Sequence, residues 1–330
     1  MRHVTISSYG QFLGVTGNRL VVTDANGGHW ETALSRVRSI RIEKTGVTVS
    51  TNLILQCAMR GIRIFVLDWR HVAVAAVSGC NQHAVVALRQ AQFECIRTSS
   101  CFCLAKEMLY AKLRNQRAVL LYFNKYQSKV SHIQSQELTS SAQRISEFAT
   151  RIKYCQQTDR WRDVLMGLEG KCADVYWQSL AQSKLLPSTF MHRQGRGAQE
   201  ITNAALNYGY SILQSYIHAA LDNAGFELYA GFLHVPRPGR ASLVCDLMEE
   251  YRAWVVDRNV IKLRSQLQKN DSLTPALKRS LCDAIDETMA STIVYHDKRV
   301  KLENVLQRQV YRLAGAVMGE RVYQSLKFKW

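Results

Sequence analysis

Over the first 80 residues, apolar and β-branched residues come in short runs broken by turn formers. Val4-Thr5-Ile6, Phe12 to Thr16, Arg19 to Thr23 and Val37 to Ile42 are such runs, each with the length and composition of a strand. Gly17-Asn18 between two apolar runs predicts a tight hairpin, and Asn26-Gly27-Gly28 predicts a further turn. A helix is predicted over residues 52–60, followed by strands at 62–67 and 72–77. From His83 onward the period changes: apolar residues recur at spacings of three and four, Gly and Pro become rare, and Ala, Leu, Gln and Arg dominate. Helices are predicted over 83–97, 102–127, 136–154, 158–180, 198–224, 241–258, 274–293 and 298–318. Residues 184–197 hold Pro187, Gly195 and Gly197 and are predicted to form a long mobile loop. The expected class is α+β, with a small β-rich N-terminal domain (1–80) followed by a larger all-α domain (81–330) that carries the chemistry.

Composition fits two domains and adds a partner. A chain of 330 residues exceeds one ordinary core. Its 43 Lys and Arg against 26 Asp and Glu give a net charge of +17, spread along the chain. Dense positive charge calls for a dense negative partner, and phosphate backbones are the commonest, because each contact releases a condensed counterion. Nine cysteines, an odd number scattered from Cys57 to Cys282, point to a reducing compartment rather than a disulfide framework. Cys101 and Cys103 lack a second pair or a His cluster to complete a zinc site. No apolar run reaches bilayer length and no signal-peptide pattern opens the chain, so the expectation is a cytoplasmic protein without a membrane partner.

The chain has no GxxxxGK[ST], complete GxGxxG, HExxH or GxSxG motif, which disfavours an ATP-driven mechanism and a nucleophile-elbow hydrolase. One dense region remains, 203–257. It opens with Asn203, Asn207, Tyr208 and Tyr210 on nearby helical faces, where core packing of the tyrosines is the plain alternative. Gly231-Phe232-Leu233-His234 comes next, then Arg237 and Arg240, then a helix with Asp246, Glu249 and Glu250 within one turn and Asp257 further along the same face. Crowded carboxylates need a positive partner. Arginines or solvent are one answer; a divalent cation is the other, since carboxylate oxygens with an imidazole suit Mg²⁺ or Mn²⁺. Glu169, set among small and apolar residues, gains meaning only beside His234 and the Glu249 helix.

Taken together, these residues resemble a known family, the CRISPR-associated integrase, which is the catalytic subunit of the spacer-acquisition complex in prokaryotic adaptive immunity. The resemblance rests on Glu169 in a Gly-Leu-Glu-Gly context, Asn203-x-x-Leu-Asn-Tyr-Gly-Tyr210, Gly-Phe-Leu-His234, and Ser242-Leu-Val-Cys-Asp-Leu-Met-Glu-Glu-Tyr-Arg252 running into Val-Val-Asp257-Arg. It extends to the Gly-Ile-Arg-Ile-Phe-Val strand near the start, and to Gln309-Val-Tyr-Arg-Leu-Ala and Tyr323 near the end.

The resemblance implies a metal held by Glu169, His234 and Glu249, with Asp246 in support; motif spacing selects Glu249, whereas helical geometry accepts Glu250 equally. It implies Mg²⁺ or Mn²⁺ and a transesterification in which a DNA 3′-hydroxyl attacks a phosphodiester of a repeat array. It also implies double-stranded DNA as substrate, a homodimer formed through the β-rich domain, and two dimers assembled around a small ferredoxin-like CRISPR-associated partner subunit. Arg237, Arg240 and Arg252 hold phosphates or pair with Asp246 and Glu250. Residues 184–197 depart from the family's arginine and proline arrangement, and neither Arg193 nor Arg196 is assigned a role. The competing readings are a metal-dependent nuclease acting on branched DNA or RNA, a non-catalytic DNA scaffold, and a transposon-encoded homologue of the integrase.

Overall fold

The computed structural model describes residues 2–69, 71, 73–79, 85–195 and 197–328. The chain separates into two compact units, 1–83 and 84–330. The boundary expected between 80 and 81, Val72 of an expected strand, His83 at an expected helix start, and Arg196 all lie outside the described residues.

The first unit carries β1 (Arg2–Ile6), β2 (Phe12–Thr16), β3 (Arg19–Thr23), β4 (His29–Ala33), β5 (Val37–Ile42), β6 (Thr48–Val49), α1 (Thr51–Met59), β7 (Arg63–Leu67) and β8 (Ala73–Val77). They form two four-stranded sheets, ordered β1-β5-β7-β8 and β4-β3-β2-β6. The first is parallel except for the antiparallel β7–β8 pair. Gly17, with φ +57, makes the predicted β2–β3 turn. Ser50 caps α1 by accepting the Leu53 amide, and the apolar faces of both sheets enclose a core of Leu13, Leu20, Ile40, Leu53 and Ile64. Strand β4 escaped prediction because it is largely exposed and does not alternate, and β6 because it has only two residues.

The second unit holds α2 (Val85–Ile96), α3 (Ser99–Gln127), α4 (His132–Lys153), α5 (Trp161–Gln182), α6 (Ile201–Ala224), α7 (Ser242–Tyr251), α8 (Arg258–Lys262), α9 (Arg264–Leu267), α10 (Pro275–Ala290) and α11 (Leu302–Val317). Caps fix the boundaries: the Glu200 side chain accepts the Thr202 and Asn203 amides to start α6, and Gly225 ends it at φ +86. Long α3 is apolar on several faces around Leu109, Ala111, Leu113 and Leu120, and runs through the core. None of the described helices is long and apolar enough to cross a membrane.

Two features depart from the purely helical reading of this unit. Residues 241–258 do not form one α-helix, because α7 passes into a π-helical segment, Arg252–Asp257, before α8. A two-stranded hairpin, β9 (Thr292–Tyr295) and β10 (Lys298–Lys301), separates α10 from α11. His296 and Asp297 turn it with positive φ, a conformation short polar residues tolerate. Residues 184–197 are not a free loop either, since Leu185, Leu186 and Phe190 are buried in the core and Phe190 meets Trp177 at 5.8 Å.

Candidate metal centre

Asp246, in the middle of α7 and 1 % exposed, organises the chain that precedes its helix. Its Oδ2 accepts the amides of Phe232 (2.6 Å) and Leu233 (3.0 Å), and its Oδ1 accepts the amide of His234 at 3.0 Å. Gly231 is required for this wrap. A Cβ there would lie 2.8 Å from Asp246 Oδ2, 2.8 Å from Ser242 Cβ and 2.9 Å from the His234 carbonyl oxygen. The His234 Nδ1 sits 2.5 Å from Asp246 Oδ1. A neutral imidazole so held carries its proton on Nδ1 and presents the Nε2 lone pair, the orientation a supporting carboxylate gives to a metal-binding histidine.

One turn further along α7, Glu249 is 3 % exposed and points to a different partner. Lys112, from the middle of α3, places its Nζ 2.8 Å from Glu249 Oε2 and 2.5 Å from Glu169 Oε1 on α5. Arg252 adds its Nη1 at 3.3 Å from Glu249 Oε1. Burial opposes the charged forms of both Lys112 and Glu249, and the ion pairs overcome it. The Lys112 ammonium is pushed up by Glu249 and then Glu169. Burial would raise Glu249, but Arg252 and Lys112 outweigh it and lower Glu249 to about 2.

Of the expected ligands, Glu169 and Glu249 are therefore gathered on one buried ammonium, while His234 is turned onto Asp246. Among the described residues, no three His, Cys, Asp or Glu side chains are already drawn together as a metal cluster. The donor chemistry nevertheless fits a hard divalent ion: two carboxylates converge on a single cation, and Glu169 Oε2 is buried without a hydrogen-bond partner.

The neighbouring acids separate by environment. Glu250, fully buried, faces away from Lys112 and accepts Tyr323 Oη at 2.7 Å and the Leu326 amide at 2.9 Å. Burial pushes it up to about 8, against those two hydrogen bonds. Asp257 does not share the acidic face expected of it. It accepts Tyr210 Oη at 2.6 Å and Tyr176 Oη at 3.1 Å, and burial raises it to about 6. Arg252 pairs with Glu249, not with Asp246 or Glu250, and Arg237 and Arg240 flank a surface turn closed by their own backbones. Tyr208 packs in the core with its hydroxyl 3.3 Å from Cys282 Sγ.

Lys112, the buried partner of Glu169 and Glu249, was not singled out from the sequence. Its signal was present: a lysine on the helical face of Ala105, Met108, Leu109 and Val119 needs a buried counter-charge.

Comparisons with known proteins bear on the family and the fold. A family model described as CRISPR associated protein Cas1 matches residues 4–281. A curated relative from Francisella tularensis subsp. novicida, named CRISPR-associated endonuclease Cas1 1, is 45 % identical over 330 residues, covering 100 % of both chains. The fold is similar to that of a casposase bound to integration product, with TM-score 0.82 and 20 % identity over 98 % of this chain and 93 % of the other. It is also similar to part of a Cas6-RT-Cas1–Cas2 complex, with TM-score 0.77 and 20 % identity over 99 % of this chain and 36 % of the other.

Proposed function

The chain belongs to the CRISPR-associated Cas1 family, and from that premise we propose that it is a metal-dependent DNA integrase. It would insert short DNA fragments into a CRISPR repeat array, a DNA 3′-hydroxyl exchanging one phosphodiester for another, in the cytoplasm. The observation that carries this reading is the convergence of Glu169 and Glu249, from two different helices, on one buried cation beside a histidine oriented by Asp246. Glu169, His234 and Glu249 would hold Mg²⁺ or Mn²⁺. When bound, such an ion stabilises the charge that builds on phosphoryl and leaving oxygens.

The residues of the chain prepare that site. Asp246 fixes the imidazole and keeps its proton on Nδ1. Lys112 and Arg252 keep Glu249 ionised and aimed at the point it shares with Glu169, where two bare carboxylates would repel. The substrate would be double-stranded DNA, matching the charge of +17. A homodimer built through the β-rich unit, joined to a small ferredoxin-like CRISPR-associated subunit, is the assembly proposed. The Cas1–Cas2 complex among the similar folds supports the partner subunit.

A second reading, a metal-dependent nuclease that cuts without joining, draws support from the endonuclease name of the Francisella relative. One experiment separates the two: a supercoiled plasmid carrying a repeat is incubated with a short duplex bearing free 3′-hydroxyls and Mn²⁺. Joined duplex is expected with the intact protein, falling by about 10²-fold or more in Glu169→Ala, His234→Ala or Glu249→Ala, with folding and DNA binding retained. Relaxed plasmid without joined product would favour the nuclease. The absence of any metal-dependent product, with the partner subunit present, would overturn both.

A further inference from the structure

The segment 184–197 ends in a side chain held in an unusual way. Arg193 donates from Nη1 to Asn203 Oδ1 at 3.0 Å and from Nη2 to Asn207 Oδ1 at 2.6 Å. The same two amides fold the loop around it: Asn203 Oδ1 also accepts the Gln194 amide, Asn203 Nδ2 donates to the His192 carbonyl, and Asn207 Nδ2 donates to the Gly195 carbonyl. The guanidinium also lies 5.3 Å from the centre of the Tyr210 ring. Arg252, the arginine paired with Glu249, lies 4.9 Å from that same ring. Arg193 is thus one aromatic ring away from the carboxylate pair.

Every group that holds Arg193 is neutral. Two amide oxygens and a π-face fix the orientation of a guanidinium without cancelling its charge, whereas a carboxylate would do both. The acids nearby are otherwise engaged. Glu200 caps α6 through the Thr202 and Asn203 amides, and Asp257, which feels the charge of Arg193 without forming an ion pair with it, is held by the hydroxyls of Tyr176 and Tyr210. Among the described residues Arg193 makes no ion pair, and it uses two of the five N–H donors a guanidinium offers. Orienting a partly exposed cation without an ion pair leaves its remaining donors open to an anion from outside.

We propose that Arg193 is a DNA-phosphate contact beside the metal centre, held ready by the uncharged cage of Asn203, Asn207 and Tyr210. The identity of the anion rests on the DNA integrase reading above. A phosphodiester next to the reacting one is the anion the site would meet, and the fork geometry suits two of its oxygens. Asn203 and Asn207 are then positioning residues. That role explains the paired asparagines of the Asn203-x-x-Leu-Asn207 motif, for which the metal has no use.

The test is the salt dependence of DNA binding by the full-length protein in EDTA, read by fluorescence anisotropy of a short duplex with 3′ overhangs between about 50 and 200 mM salt. In Arg193→Gln, the slope of log affinity against log salt should fall by about 0.9, the loss of one phosphate contact. Asn207→Asp keeps an oxygen for Arg193 and neutralises it, at the loss of the Nδ2 bond to the Gly195 carbonyl, and its slope should fall by a similar amount. A wild-type slope in either variant, at unchanged melting temperature, overturns the proposal. In particular, a slope that falls in Asn207→Asp alone reports only repulsion by the new carboxylate. Because this assay needs no chemistry, it is separable from the integrase reading. A wild-type protein that joins no DNA while both slopes fall would sink that reading and leave the phosphate contact standing.

Discussion

At the scale of single residues, environment decides what sequence spacing leaves open. Glu249 and Glu250 are adjacent on α7, and helical geometry alone accepted either as a ligand. They titrate in opposite directions because one faces Lys112 and Arg252 while the other faces two uncharged donors in the core. Glu250 is pushed up to about 8 by burial, against about 4.3 for a carboxyl in an unfolded chain. Its stabilising contribution is therefore fully present below about 4.3, where both states are protonated, and is lost as pH rises through about 8. Glutamine has the shape of the protonated acid. Glu250→Gln is expected to fold with stability near that of the parent, and to flatten the decline in melting temperature between about pH 4.5 and 8. A variant destabilised by several kcal/mol at every pH would mean that the ionised form is the one the core holds. Glu169 and His234 were legible as motif residues, but the partners that give them their setting were not. Lys112 precedes Glu169 by 57 positions, and no local pattern links residues so far apart.

At the scale of elements, the helix that carries the acids is informative because it is irregular. Positions 246 and 257 are 11 residues apart, close to three turns of an ideal α-helix, so periodicity places them on one face. The π-helical segment Arg252–Asp257 inserts extra chain between them and rotates the downstream residues by roughly 100°. That rotation carries Asp257 away from Glu249 and onto Tyr176 and Tyr210. No sequence rule marks a π-turn, which is why the face was legible as far as Tyr251 and not beyond. The β9–β10 hairpin was hidden for a related reason. His296-Asp297 is a permissible but weak turn signal, and the apolar residues on either side match a helical period as readily as a strand's. The turn 231–234 yields the sharper test. Gly231→Ala drives a methyl group against Asp246 and Ser242, at an expected cost of about 1–3 kcal/mol. Because the same contact sets His234, strand joining should drop by more than the fraction unfolded explains, as measured by melting and by the plasmid assay on one preparation. Joining that falls only in step with the folded fraction would show that the turn does not position the histidine.

At the scale of the whole molecule, the change of period near His83 was legible because strands and helices differ in their spacing of apolar residues over many turns. The exact joint was not, because it rests on a few residues. Among the described residues, each hydrophobic cluster draws its members from one unit: Val4 to Ile64 in the first, Leu88 to Phe328 in the second. A unit with its own core meets the main condition for folding alone. Lys112, Glu169, Arg193, His234 and Glu249 all lie in the second unit, so the centre should survive separation while assembly through the β-rich unit should not. Residues 85–330, expressed without the first unit, are expected to melt in one cooperative transition. Mn²⁺ should raise that midpoint, since a ligand at 100 times its Kd adds about 2.7 kcal/mol to stability, and Glu169→Ala should abolish the rise. Light scattering should then find the fragment monomeric and the full chain dimeric. A dimeric fragment would move the subunit interface onto the helical unit, and a fragment indifferent to Mn²⁺ would remove the metal from the set of carboxylates gathered around Lys112.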